Sequence, residues 1–363
     1  MFLPDKEDIY TAPANESKVK ACRKRDCGIK QAAVYLGRSL PSLLDEGCEL
    51  SQTDASRSTW LSLRLPFIKR LAKKSLPATI AHHSGGQWQR WTLPELRQAA
   101  EEVALGLEQH LTIEKGDRAA LLMASSVPFV MADIGCLLAQ LVTVPIPPDQ
   151  PVETWEYMLK ETAASVLFVS QLAQVKPLLP KLSALPALRL IVVAEGTKGS
   201  SKHSSGDRLQ NRLTTLQGSL PETIELMTLE TLRQQTWSAA AAARLRAALH
   251  PQDLATIVYT LSASGRPLGA MLTHENLSGS ALAAFSTLPC LRKGSSEVAL
   301  SFLPLHHVFA RVFVYGSLSY GQSLYFSSPR RVMTHLRELR PTVFFAVPRL
   351  LEKVYESWQA ALQ

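Results

Sequence analysis

Residues 253–276 constrain this chain more than any other stretch. Asp253-Leu-Ala-Thr-Ile-Val-Tyr-Thr260 is an apolar run entered from a polar turn, the pattern of a buried strand. A polar loop follows, with hydroxyls at Thr260, Ser262 and Ser264, and with Gly265, Pro267 and Gly269 behind them. Thr273-His-Glu-Asn276 then opens a helical stretch, with Thr273 as N-cap and Asn276 three residues on. Glycine lets a backbone turn its N–H groups inward, and hydroxyls add donors, so such a loop is a nest for anions. Strand, polar loop and helix is also the context of anion binding at a helix N-terminus. The plain alternative is a strand–turn–helix whose turn is polar and binds nothing.

Taken whole, Tyr259-Thr-Leu-Ser-Ala-Ser-Gly-Arg-Pro-Leu-Gly-Ala-Met-Leu-Thr-His-Glu-Asn276 resembles the phosphate-binding loop of the adenylate-forming (AMP-binding) superfamily. That superfamily includes acyl-CoA synthetases, luciferases and peptide-synthetase adenylation domains. Its pattern is Y-T-S-G-T-T-G-x-P-K-G-V-M-L-T-H-x-N, matched in register at Tyr259, Thr260, Gly265, Pro267, Gly269, and from Met271 to His274 and at Asn276. Leu261 stands for Ser, Ser262 for Gly, Ala263 and Ser264 for Thr, and Leu268 for Lys. Leucine cannot replace a cation. A hydrogen bond to a charged group contributes about 1.5–3 kcal/mol, so losing the lysine weakens phosphate contact by roughly 10- to 150-fold.

Two further segments carry the same resemblance. Ser301-Phe-Leu-Pro-Leu-His-His-Val-Phe-Ala-Arg-Val312 is similar to S-F-L-P-L-x-H-x-F-E-R-V of long-chain acyl-CoA synthetases, with Ala310 in place of the Glu before Arg311. Leu339-Arg-Pro-Thr-Val-Phe-Phe-Ala-Val-Pro-Arg349 and Glu352-Lys-Val-Tyr355 resemble R-P-T-x-F-x-x-V-P-R-x-x-E-K-x-Y, which selects the long-chain branch. Trp91–Leu96, Lys115–Leu122 and Pro145–Pro148 fall where the family has its own N-terminal segments.

The resemblance implies a doubly wound α/β fold with mainly parallel sheets and flanking helices. Residues 39–363 would be part of the large adenylation domain, with the small C-terminal domain absent. It implies a fatty acid and ATP as substrates, with Mg²⁺ and coenzyme A as cofactors. In the family reaction a carboxylate attacks the α-phosphate, and coenzyme A then displaces AMP from the acyl-adenylate. Thr260, Ser262, Ser264, Gly265, Pro267 and Gly269 become a degenerate nucleotide phosphate loop, and His307 falls at the acyl and adenylate pocket. No residue is assigned a catalytic role and none a metal. The family's Tyr-Gly-x-Thr-Glu segment, ribose-binding Asp and catalytic Lys have no counterpart here. A truncated, inactive ligase-like protein is therefore expected. Two alternatives stay open. One is an interaction protein or half of a split synthetase, with a protein partner covering the face that carries Leu351 and Tyr355. The other is an active synthetase of which this is part.

Charge and cysteine bound the setting. The 363 residues are 46% hydrophobic with net charge +8, enough to bury a sizeable core. Basic residues crowd a tail expected to be poorly ordered, residues 1–38, and the segment 60–74, where Trp60, Leu61, Phe67 and Leu71 interleave with them. That segment fits either a solvated basic surface or peripheral contact with an anionic membrane. No nucleic-acid motif accompanies the charge. The five cysteines are scattered, and Cys22 and Cys27 lack the second pair of a metal site. No apolar run is long enough to cross a bilayer, and a cytoplasmic location is expected.

Along the chain, strands are predicted at 118–123, 165–169, 188–193 and 343–347. Helices are predicted at 127–141, between 169 and 188, and at 237–249. Residues 196–220, rich in Ser, Gly, Lys and Thr, read as a mobile surface loop. Strands alternating with helices point to a parallel sheet.

Overall fold

The structure, a computed structural model, describes residues 38–50, 78–195, 204–234, 236–261, 267–288 and 291–348, with 351, 352, 355, 356 and 359. The tail 1–38, save its last residue, and the basic segment 60–74 lie outside the described residues. Residues 40–50 form helix α1. The hairpin of β1 (Thr79–Ser84) and β2 (Gln87–Thr92) follows, turning through Gly85 and Gly86 at positive φ. Next come α2 (Leu93–His110), β3 (Arg118–Leu122), α3 (Val127–Leu138), β4 (Val142–Pro145), α4 (Val152–Glu161), β5 (Val166–Val169) and β6 (Leu190–Val193). They are followed by α5 (Ser204–Gln217), β7 (Glu225–Thr228), α6 (Leu229–Leu232), α7 (Ala239–Ala247), β8 (Leu254–Leu261), β9 (Pro267–Thr273) and α8 (His274–Ser286). The last elements are β10 (Val298–Ser301), α9 (Val308–Ser319), β11 (Ser323–Phe326), α10 (Val332–Leu339) and β12 (Val343–Phe344).

The strands make two sheets, ordered β7-β6-β5-β3-β4-β8-β9 and β12-β10-β11-β1-β2. Each is parallel except for one antiparallel hairpin at an edge, β8–β9 in the first and β1–β2 in the second. Strand residues alternate between faces, so a strand covered on both sides is apolar throughout. Ala119 and Leu121 of β3 face one core while Ala120 and Leu122 face another. Ala299 and Leu300 of β10 divide in the same way. The shared core is a helical layer between the sheets. In it α2 buries Leu93, Leu96, Ala100, Val103 and Leu107 at helical spacing. Thr92 and Glu95 close the start of that helix as a capping box. These are the mainly parallel sheets and flanking helices that the sequence implies.

Three expectations need correction. Residues 196–220 do not form a single loop, because 204–217 are the helix α5. Leu213, Leu216 and Leu220 are buried and Leu209 is partly so, a helical stripe that polar composition hides. Gln217 fixes the helix to the sheet through Ile224 O (2.9 Å) and Leu226 N (2.8 Å). Between β5 and β6 the helix is 3₁₀, not α, over Leu172–Gln174 and Lys176–Ala184, where Pro177 and Pro180 remove two donors. Only Val343 and Phe344 of the 343–347 run are paired as strand. No described helix is long and apolar enough to cross a membrane.

One buried ion pair joins the two sheets. Arg311 on α9 is 1% exposed, and its Nη2 donates to both oxygens of Asp133 on α3, at 2.7 and 2.9 Å. Nη1 donates to Thr256 Oγ1 of β8 at 2.7 Å, and Nη2 also reaches Thr143 Oγ1 of β4 at 3.2 Å. Tyr315 OH donates to Asp133. Burial works against the charged guanidinium, but Asp133 and Tyr315 more than offset it and hold its pKa above the usual arginine value. Nε is left without a partner among the described residues. Stranding one charge of a buried pair costs about 3–5 kcal/mol, whereas replacing both by apolar groups is often neutral. Asp133→Ala is therefore expected to lower the urea midpoint by a stability change of that size. The double variant Asp133→Leu/Arg311→Met is expected to recover most of it. Equal losses in the two would assign the effect to packing, not charge.

Candidate functional site

The phosphate-loop motif folds as a hairpin. Strands β8 and β9 pair antiparallel with Tyr259 opposite Gly269, Thr260 opposite Leu268 and Leu261 opposite Pro267. Thr260, Pro267 and Gly269 thus stand together where the hairpin closes, while Ser262, Ser264 and Gly265 lie outside the described residues. The expected strand–loop–helix order is corrected here, because the strand β9 separates the loop from α8. Thr273 does cap α8 and forms a capping box with Asn276, as its position predicts. That helix start sits at the opposite end of β9 from the loop. Seven strand residues span roughly 20 Å, so the α8 N-terminus cannot share an anion with the loop.

Pairing also sets the loop's surroundings. β9 is an edge strand, and Leu268, at the motif's lysine position, is 60% exposed. A Cβ on Gly269 would come within 2.8 Å of Ile257 Cγ2 and 3.4 Å of Tyr259 Cζ, so glycine is needed for the close approach of the two strands. Tyr259 OH donates to Glu161 Oε2 at 2.5 Å, and Tyr157 OH donates to Glu161 Oε1 at 2.7 Å. Burial, then the hydrogen bond to Glu161, raises the Tyr259 pKa above the usual phenol value. Tyr259 is therefore a strut that ties the hairpin to α4. A groove of about 340 Å³ runs beneath it, between Arg118, Glu161, Tyr259 and Met271. The sequence marks Tyr259 as a motif residue but carries no sign of Glu161, whose partner is remote in the chain.

His307 lies just after the carboxyl end of β10, at the N-cap of α9, with an exposed ring that makes no capping hydrogen bond. Its ring centroid is 4.3 Å from that of His306. Burial, and then the neighbouring His307, lower the His306 pKa to about 4. Leu305 N donates to Ser125 Oγ at 2.9 Å, which pins this segment to the start of α3. Phe309, exposed, stacks on Phe345 at 5.0 Å, and Phe345 in turn packs on Phe313 at 4.4 Å. The third motif thus meets the second through an aromatic cluster.

The hairpin and His307 share one support. Thr256 precedes Thr260 by four residues, Arg311 follows His307 by four, and the two side chains are hydrogen-bonded. The carboxylate that Ala310 removes from beside Arg311 is supplied by Asp133 instead. Asp133 is the residue that sequence reasoning missed. A lone charge inside the apolar helix 127–138 was its only signal. Among the described residues, no group of three His, Cys, Asp or Glu side chains gathers as a metal site. Thr260 and Leu268 stand opposite each other in the hairpin, so this pair presents a hydroxyl and an aliphatic side chain and no cation.

Comparison with known proteins places the chain. Residues 69–362 match the family of AMP-binding enzymes. A long-chain-fatty-acid–CoA ligase, FadD15 of Mycobacterium bovis, is 31% identical over 274 residues, covering 75% of this chain and 41% of that protein. The long-chain-fatty-acid–CoA ligase ACSBG2 of Xenopus laevis is 24% identical over 318 residues, covering 86% and 40% respectively. The chain therefore spans less than half the length of these relatives. Among solved structures, the A domain of a carboxylic acid reductase from Segniliparus rugosus, in complex with AMP and a co-purified carboxylic acid, superposes with a TM-score of 0.63. That likeness is 21% identical and covers 96% of this chain and 55% of the other. The N-terminal domain of FACL13 from Mycobacterium tuberculosis gives a TM-score of 0.56 at 20% identity, covering 87% and 64%. With the ordered motifs, the two parallel sheets and the match across 69–362, this chain belongs to the AMP-binding enzyme family.

Proposed function

We propose that this chain is the nucleotide- and acyl-binding part of a long-chain fatty acid–CoA ligase-like protein, with a weakened phosphate loop. The observation that carries the reading is the β8–β9 hairpin, which holds Thr260, Pro267 and Gly269 in motif register but presents Leu268 where the family has its lysine. ATP would supply the activated phosphorus that a carboxylate attacks. The chain's own residues would bind and orient. Thr260 and the hairpin backbone would hold phosphate oxygens, and Tyr259 and Glu161 would keep the hairpin in place. His307 would stand beside the acyl carboxylate, and Phe309 and Phe345 would wall an apolar chain. No side chain in this set is a cation at the transferred phosphoryl group, where electrostatic stabilisation usually dominates. Weak nucleotide binding without turnover follows. Cys48 and Cys136 are buried free thiols, which suits a reducing cytoplasmic setting.

Two measurements test this. Leu268→Lys is expected to tighten ATP binding by roughly 10- to 150-fold in calorimetry, since an exposed edge position accepts lysine without repacking. An unchanged affinity would mean that the hairpin does not present its loop to phosphate. Palmitate-dependent exchange of pyrophosphate into ATP by residues 1–363 is expected to stay at the level of a variant lacking 262–266. Exchange clearly above that blank would overturn the weakened-loop reading.

A second reading, an interaction protein or half of a split synthetase, is supported by exposed apolar side chains. Phe309, Phe344, Val347, Leu351 and Tyr355 are all more than a third exposed. Such surface favours association. Sedimentation of residues 1–363 is then expected to show oligomers. A sharp monomer boundary, with no binding of a hydrophobic dye, would count against it.

A further inference from the structure

A cleft of about 650 Å³ opens between the two sheets, and neither His307 nor the described residues of the phosphate-loop hairpin line it. It lies at the carboxyl ends of β1 and β11 on one side and of β3, β5 and β6 on the other, reached at Ser84, Phe326, Ala124, Ser170 and Ala194. Carboxyl ends of parallel strands are where open α/β sheets bind ligands.

Its wall favours negative charge. Arg331 is exposed, and its only side-chain hydrogen bond among the described residues runs from Nη1 to His83 Nδ1, at 2.9 Å. A guanidinium only donates, so His83 Nδ1 accepts and the ring proton sits on Nε2, a second donor. His335 is buried beside His83, with ring centroids 5.0 Å apart, and its Nδ1 meets Ser327 Oγ at 2.8 Å. Ser170 Oγ accepts from Ala124 N at 2.8 Å, which leaves its own proton to donate. The helices α3 and α10 both start at the cleft, and neither is closed by a side-chain cap. Ser126, at the α3 N-cap, turns its hydroxyl to Ala124 O instead, at 3.1 Å. Uncapped first-turn amides add positive potential. The one carboxylate on the wall, Glu195, is engaged by Leu172 N at 3.1 Å and by Arg212 at 3.3 Å.

We propose that this cleft binds a small ligand through its phosphate group, with Arg331 as the principal cation and His83 and Ser170 as neutral donors. These donors come from separate chain segments on two walls of the cleft, an arrangement that addresses a tetrahedral oxyanion from several sides where a planar carboxylate needs one. The volume falls within the roughly 300–1,000 Å³ of small-molecule sites, so an organic substituent also fits. The site does not depend on the ligase reading, because its residues and those of the hairpin are different.

Calorimetry on residues 1–363 at fixed ionic strength, with inorganic phosphate, glycerol phosphate and acetate, tests the assignment. Saturable binding of one or both phosphates is expected, with acetate at least tenfold weaker. A preference between the two identifies the ligand as an ester or as free phosphate. Arg331→Gln should weaken that binding by roughly 10- to 150-fold, the loss of one charge-assisted hydrogen bond, and Arg331→Lys should recover part of it. Arg244→Gln, which removes the same charge from α7 and touches neither the cleft nor the hairpin, should leave it unchanged. Independently of any variant, histidine ring signals of His83 and His335 should shift on phosphate addition while His110 and His250 stay. No saturable binding, acetate as tight as phosphate, an unaffected Arg331→Gln protein, or still ring signals at His83 and His335 would each overturn the proposal. The outcome of the ATP exchange measurement bears on the ligase reading alone.

Discussion

The contact between Arg311 and Asp133 is the one on which both sheets and both motif segments depend. Asp133 sits in α3, the crossover between β3 and β4 of the seven-stranded sheet, and Arg311 in α9, the crossover between β10 and β11 of the other. A charge in that apolar layer is tolerable only when paired and hydrogen-bonded, and the pair recruits Thr143, Thr256 and Tyr315 to achieve this. Because Thr256 belongs to β8 and Arg311 to the helix that begins at His307, the same bonds set the distance between the phosphate-loop hairpin and the second motif. Electrostatics supply uniqueness here more than stability. An apolar substitute would fill the space without specifying which helix turn meets which strand residue.

The hairpin illustrates the opposite regime, a functional element at an exposed edge. Edge strands invite pairing with other chains unless something blunts them, and β9 begins with a proline and carries Gly269 within it. Both residues also serve the loop, one by fixing the backbone where the hairpin closes and the other by admitting the Tyr259 ring. What keeps so exposed a strand in register is lateral. Glu161 receives phenol hydrogen bonds from Tyr157 and from Tyr259, so α4 grips β8 from the side facing away from the central core. Leu268 disturbs none of this. It pairs with Thr260 in the ladder, so the strand register is kept with leucine at this position.

What was legible in the sequence follows from how local each determinant is. β3, β5 and β6 are buried on both faces, and a short continuous apolar run reports that directly. Thr273 with Asn276 announces a helix start because the whole capping box lies within four residues. Pro267 and Gly269 read as loop, since an edge strand is the one sheet position that tolerates both, and sequence alone does not show which strand is at an edge. In α5 the leucines keep helical spacing, but the Ser, Gly, Thr and charged residues around them mask it. Asp133 was the hardest. Its buried position demanded a partner, and that partner lies 178 residues away.

Parallel strands also explain why the chemistry of this chain collects on one rim. The loop leaves the carboxyl end of β8, the His306-His307 segment leaves that of β10, and the cleft near Arg331 occupies those of β1, β3, β5, β6 and β11. In the seven-stranded sheet β3, whose carboxyl end reaches the cleft, and β8 are separated by β4 alone, two strand spacings or roughly 10 Å. Arg331 stands on the other wall, after the carboxyl end of β11. In the proposed reading the hairpin, with leucine where the family has its lysine, holds phosphate through hydroxyls and backbone, and the cleft holds one of its own through Arg331.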